Sequence, residues 1–144
     1  MNTSSTHPMA AAAGRALLAT LFLVSGIQKV FAPEMIQGYI ASAGLPFPWL
    51  VYAIAVAVEV GGGALLLAGL WTRPAAAVLA GFTVVATVIF HHALGDPNQF
   101  VHFLKNVAIV GGLLHVAAIG AGSFSLDGYD WSGLVGARRD HPAA

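Results

Sequence analysis

The sequence has no cysteine and very little charge. Of its 144 residues, six are Lys or Arg and six are Asp or Glu, so the formal net charge is zero and charged residues make up 8% of the chain. Without cysteine the chain forms no disulfide, offers no thiolate to a metal and carries no thiol redox chemistry of its own. Because the few basic residues are scattered, the chain also lacks the basic surface by which proteins bind nucleic acid.

Apolar residues are abundant in the chain. They make up 58% of the chain, more than is usual in soluble proteins. Four apolar runs are long enough to cross a lipid bilayer as helices, which takes roughly 17 to 25 residues. They lie near residues 14–31, 49–71, 74–94 and 101–121. We therefore predict an all-α integral membrane protein, a four-helix bundle whose main partner is the lipid bilayer.

The segments between these runs indicate how the helices connect. Only Trp71-Thr72-Arg73-Pro74 separates the second run from the third, which predicts an antiparallel hairpin. The first loop holds an apolar stripe between Pro33 and Gly44, which predicts a short interfacial helix. The stripe consists of Met35, Ile36, Tyr39, Ile40 and Ala43. We expect three regions: a disordered N-terminal segment (1–13), a four-helix transmembrane domain (14–121) and an interfacial and cytoplasmic tail (122–144).

The basic residues predict the orientation of the bundle, since short cytoplasmic segments collect Lys and Arg. Four arginines fall on one side of the predicted membrane and two lysines on the other. The arginines are Arg15, Arg73, Arg138 and Arg139; the lysines are Lys29 and Lys105. Both termini are therefore predicted to be cytoplasmic, with the loops at 32–48 and 95–100 outside.

Ionisable residues inside the apolar runs are the candidate functional residues. Glu59 lies at the middle of the second run, where a charge costs roughly 2.5 to 3.5 kcal/mol, so it needs compensation. Helical phase turns Lys29 and Lys105 away from the apolar stripes of their own helices. We predict that Lys105 is the counter-ion of Glu59, or of a bound anion, in a polar cavity open to the outer face. The alternatives are a Glu59–Lys105 pair that only fixes packing, and a Lys29 that extends to the headgroups.

Several histidines and small residues add weaker signals. His91, His102 and Asn106 share the predicted outer half with the lysines. We predict no metal site there, because the adjacent His91 and His92 diverge on a helix and no carboxylate spacing supports one; a haem held by two histidines stays open. A strip of small residues on the second helix, opposite Glu59, suits helix packing and a possible homo-oligomer. It consists of Ala57, Gly61, Ala64 and Ala68.

Six short segments, in this order, resemble the DoxX family of small bacterial membrane proteins. They are Arg15, Gly26-Ile27-Gln28-Lys29, Val58-Glu59-Val60-Gly61-Gly62, Gly69-Leu70-Trp71-Thr72-Arg73, Phe103-Leu104-Lys105-Asn106 and Leu126-Asp127-Gly128. The resemblance covers about residues 14–128 and implies a four-helix bundle in the bacterial inner (plasma) membrane. It also implies an association with quinone-linked oxidation of sulfur compounds or with oxidative-stress complexes. The matching polar positions are Lys29, Glu59, Arg73, Lys105 and Asn106.

Two function hypotheses follow. In the first, the chain is the membrane subunit of a quinone-linked oxidoreductase whose redox partner supplies electrons. Glu59 and Lys105 would then be catalytic. Glu59 would transfer protons, and Lys105 or a histidine would donate a hydrogen bond to the carbonyl of the quinone. Lys29, His91, His102 and Asn106 would bind the ligand. In the second, the chain is not an enzyme but a membrane assembly platform or a small-solute carrier.

Overall fold

The computed structural model describes residues 8–128, and within this range the chain is helical without any strand. The helices are α1 (Pro8–Phe31), α2 (Pro33–Ser42), α3 (Pro48–Ala68), α4 (Thr72–Phe90) and α5 (Pro97–Ile119). All but α2 are long and apolar enough to cross a membrane. The predicted fold class, an all-α bundle with four membrane-spanning helices, is confirmed.

The ends of the helices differ from the predicted runs where local signals outweigh hydropathy. Helix α1 begins at Pro8, so residues 8–13 are helical although they were assigned to the disordered segment. Helix α5 begins at Pro97, four residues before its apolar run. The Asp96 side chain accepts the N–H groups of Asn98 and Gln99, which caps this polar first turn. The predicted tail residues Tyr129, Trp131, Arg138 and Arg139 lie outside the described residues.

The predicted short helix is present as α2, which Pro33 opens at its first turn. Ile40 is the buried member of its apolar stripe. The Tyr39 ring stacks on Phe90 with 5.1 Å between ring centroids, which joins α2 to the end of α4. Helix α2 therefore covers one end of the bundle.

The packing order of the spans determines where the site forms. Helix α3 packs against both α1 and α4, and α4 packs against α5. Helix α1 meets α5 where Leu18 lies against Gly112. We call the end of the bundle that carries Lys29 and Lys105 the lysine end, and the end that carries Arg15 and Arg73 the arginine end. The buried core includes Phe22, Leu66, Leu79 and Leu113, and toward the lysine end α1 stands apart from α4 and α5.

Candidate functional site

A cavity of about 830 Å³ lies between α1, α4 and α5 at the lysine end, where these helices separate. Most of its wall is apolar. Its polar lining comprises Thr20, Ser25, Gln28, Lys29, Tyr39, Glu59, Thr83, His91, Lys105 and Asn106. The apolar lining includes the exposed side chains of Leu17, Val24 and Val85, so the cavity opens sideways on the face that meets lipid. An apolar concavity with a few polar groups is typical of a small-molecule site.

Glu59 reaches the cavity wall from an irregular turn of α3. Residues Ala57–Gly61 form a π-helical turn, a feature frequent at functional sites. Glu59 is only 5% exposed. Gly26 of α1 faces this turn: a Cβ atom at Gly26 would lie 2.7 Å from Val60 Cγ2 and 3.1 Å from Glu59 Cβ. The absence of a side chain at Gly26 therefore lets α1 pack directly against the turn that carries Glu59.

Lys29 is the counter-ion of Glu59. Its Nζ lies 2.8 Å from Oε2 and 3.1 Å from Oε1 of the carboxylate. The contact to Oε2 is ionic and lacks regular hydrogen-bond geometry. Nζ also donates to Ser25 Oγ at 2.8 Å, and Ser25 Oγ donates to Glu59 Oε1 at 3.2 Å. The three groups form a closed cluster in which the buried carboxylate is compensated.

Two sequence-based expectations about the lysines are therefore wrong. Lys29 does not extend to the headgroups, since its amine bends back one turn toward Ser25, nearer the middle of the bundle. Lys105 is not the partner of Glu59. Within residues 8–128 no carboxylate lies within 4.0 Å of the Lys105 amine. The amine instead lies 3.4 Å from His102 Nδ1. The physical reason is helix order, because α1 packs against α3 whereas α5 lies across the cavity.

The remaining predicted residues lie on the α4–α5 side. Asn106 Nδ2 donates to Thr87 Oγ1 at 2.9 Å, and Thr87 Oγ1 donates to the Thr83 carbonyl at 2.6 Å. His91 Nδ1 lies 2.8 Å from Gln99 Oε1. The His91 ring stacks on His102 with 5.1 Å between centroids, which leaves no room for a haem between these two rings.

The cavity thus brings together five of the six predicted site residues, namely Glu59, Lys105, Lys29, His91 and Asn106, and places His102 behind His91. No group of three or more His, Cys, Asp or Glu side chains suited to a metal occurs among the described residues. Sequence reasoning did not select Ser25 as a site residue. Its position four residues before Lys29 in α1, on the same helix face, is the signal that could have identified it.

Polar residues at the arginine end form a separate cluster that fastens the chain after α5. Arg15, 5% exposed, donates through Nη1 to the Ala121 carbonyl at 2.8 Å and through Nη2 to the Phe124 carbonyl at 2.6 Å. Asp127 accepts the N–H groups of Trp71 at 2.8 Å and Thr72 at 2.9 Å, which caps α4. These N–H donors, Thr72 first, lower the pKa of the Asp127 carboxyl against the opposing effect of burial.

The six segments that resemble DoxX therefore divide into two groups. Arg15, the segment 69–73 and the segment 126–128 meet at the arginine end, where they close the connection between α3 and α4. The segments around Lys29, Glu59 and Lys105 meet at the cavity. The first group fastens the fold, and the second surrounds the candidate ligand site.

Known proteins match the chain over most of its length. The sequence profile of the DoxX family matches residues 10–92. Inner membrane protein YphA of Escherichia coli (strain K12) is 35% identical over 129 residues, which cover 85% of this chain and 91% of that protein. Inner membrane protein YqjF of the same organism is 33% identical over 113 residues, 78% of this chain and 85% of that protein. No solved structure matches. With its four membrane-spanning helices, this chain belongs to the DoxX family.

Proposed function

We propose that the chain is the membrane subunit of a quinone-linked oxidoreductase of the bacterial inner membrane, and that the cavity at the lysine end binds the quinone. The observation that carries this proposal is the cavity itself, about 830 Å³ of mostly apolar wall with hydrogen-bond donors toward one end. A quinone has the same division, since it joins an apolar ring and chain to carbonyl oxygens. Both relatives are inner membrane proteins by name, which supports the location.

The side chains on the cavity wall suit distinct roles. Lys105 and Asn106 would present N–H donors to a carbonyl oxygen, and His91, which directly follows α4, lines the same cavity. Reduction of a quinone to a quinol takes up two electrons and two protons, and the partner subunit would supply the electrons. Glu59 is the carboxylate in the wall, and Lys29 and Ser25 hold it in place. It would take up a proton from water and pass it to an oxygen of the reduced quinone.

A second candidate, a non-enzymatic assembly platform or a small-solute carrier, is supported by two other features. The Lys29–Glu59 pair is closed, as expected of charges that serve packing. The strip of Ala57, Gly61, Ala64 and Ala68 is exposed along α3, and a Cβ atom at Gly61 would meet nothing within 4 Å. Another helix could therefore approach this strip closely.

Purification separates the two candidates. The protein, extracted in mild detergent, is analysed for bound quinone by solvent extraction and mass spectrometry, and then titrated with decyl-benzoquinone. We expect quinone to co-purify with the wild type and with His115→Ala, whose substitution lies on α5 away from the cavity. We expect a reduced quinone content in Lys105→Met, because one donor to the carbonyl is lost while the apolar wall remains. A quinone content equal to the lipid background, with no saturable binding, would refute the quinone proposal and leave the platform or carrier.

A further inference from the structure

The two lysines of the cavity differ in what their ammonium groups bind. Lys29 directs its amine to Ser25 and to both oxygens of Glu59, so its charge is compensated. Lys105 also lines the cavity, but within residues 8–128 its amine has a single polar contact, the 3.4 Å approach to His102 Nδ1. An ammonium carries three donors, so at least two remain on Lys105 for a ligand.

The cavity therefore carries an uncompensated positive charge. Lys29 and Glu59 cancel each other, whereas Lys105 has no carboxylate within 4.0 Å among the described residues. The other acidic residues in the described range are Glu34, Asp96 and Asp127, and none of them lines the cavity. Asp96 caps α5, and Asp127 caps α4 at the opposite end. Lys105 is exposed at the lysine end. An anion that enters the cavity there would meet its ammonium group without competition from a carboxylate of the described residues.

The shape of the cavity defines the rest of the ligand. Lys105, Asn106 and His91 lie toward the lysine end, whereas Leu17 and Phe82 line the part nearer the middle of the bundle. Leu17 is 14 residues from Phe31, the end of α1, so at 1.5 Å per residue the cavity reaches roughly 20 Å down from that end. The exposed side chains in its wall open this length toward lipid.

We propose that the cavity takes up, sideways from the bilayer, a molecule with one apolar chain and one ionised acidic oxygen head, and that Lys105 is the counter-ion of that head. Asn106 supplies a second donor, because its amide gives one N–H to Thr87 and keeps the other. The head is either a carboxylate or the ionised hydroxyl of a hydroxyquinone. This inference rests on the proposed function, because it uses the same cavity. It adds charge selection, by which Lys105 favours a ligand with a negatively charged head over a neutral one.

Three probes with similar alkyl chains test the inference: a 3-alkyl-1,4-naphthoquinone, its 2-hydroxy derivative, which is ionised at neutral pH, and the alkyl carboxylate. Binding is measured by titration of the detergent-solubilised full chain at neutral pH. We expect the hydroxyquinone to bind the wild type at least about tenfold more tightly than the neutral quinone, a difference of about 1.4 kcal/mol. Lys105→Met should abolish this preference, and Lys105→Arg should retain it.

The outcomes separate the inference from the proposed function. Equal affinity for the two naphthoquinones, or a preference that survives in Lys105→Met, would overturn charge selection while leaving quinone binding intact. Tight binding of the carboxylate without binding of either quinone would support charge selection and refute the quinone function. Absence of binding by all three probes would refute both. Thermal unfolding of each variant without ligand verifies that the bundle is intact.

Discussion

Lys29 Nζ and Glu59 Oε2 lie 2.8 Å apart and join α1 to the π-helical turn of α3. The side chains are 22% and 7% exposed, so both charges are largely removed from solvent. Removing one partner of such a pair leaves the other charge buried without compensation, whereas removing both leaves neutral groups. The stability of the bundle should therefore depend on the pair as a unit.

The first prediction is a double-mutant cycle on this pair. Lys29→Met and Glu59→Gln should each lower the free energy of unfolding, by roughly 3 kcal/mol for a buried pair. The double variant should recover much of the loss, because neither charge is then left alone. Thermal unfolding of the four proteins in the same detergent provides the measurement.

The matched control for this cycle is Lys105→Met combined with Glu59→Gln. Because Lys105 lies across the cavity from Glu59 and has no ionic contact with it, these two losses should add. Coupling of Glu59 to Lys105 and additivity with Lys29 would contradict the assignment of the ion pair.

The second prediction concerns the close approach of α1 and α3. Gly26→Ala should destabilise the bundle by about 1–3 kcal/mol, because the new Cβ would lie 3.2 Å from the Val60 backbone nitrogen as well as against its side chain. Gly14→Ala in the same helix is the control, since its Cβ would meet nothing within 4 Å. Alanine there should raise stability slightly through helix propensity. Thermal unfolding that ranks Gly26→Ala at or above the wild type would refute the contact.

Helical phase in the sequence predicted which side of α1 faces inward. Phase places Leu17, Val24, Ile27 and Phe31 opposite Lys29 on α1, and all four are exposed. This prediction succeeds because a spanning helix is regular and its apolar positions are numerous. The same regularity made the number of spans predictable from run length alone.

Helical phase does not show which neighbouring helix a side chain contacts. Phase places Gly62 on the same face of α3 as Glu59, but a Cβ atom at Gly62 would lie 3.0 Å from Leu79, in the core between α3 and α4. On α5 the buried face is centred on Ile109 and Leu113 rather than on Lys105, which lies at its edge. Which lysine pairs with Glu59 depends on which helices pack together. No single segment of the sequence specifies this packing order.

The third prediction is topological. The arginine end should face the cytoplasm and the lysine end the outside, because Lys and Arg together favour the side of Arg15 and Arg73 by four to two. Reporters inserted at Gly44 and Gly95, in the connections before α3 and α5, should report the outer side. A reporter at the N-terminus should report the cytoplasm. A cytoplasmic signal from either connection would place the cavity at the inner surface instead.

The last prediction concerns Asp127 at the arginine end. Asp127→Ala removes the acceptor for the N–H groups of Trp71 and Thr72, so we expect the free energy of unfolding to fall by about 1 kcal/mol, as for other helix caps.

The pKa of Asp127 is lowered in the folded chain, chiefly by the Thr72 N–H. A lowered carboxyl pKa contributes stability above the pKa of the unfolded chain and loses it as the pH falls through the folded pKa. The stability difference between wild type and Asp127→Ala should therefore be constant near neutral pH and shrink below about pH 4. Thermal unfolding of both proteins from pH 7 to pH 3 measures this, with Asp96→Ala, a cap on α5, for comparison. A difference that grows on acidification would contradict the cap.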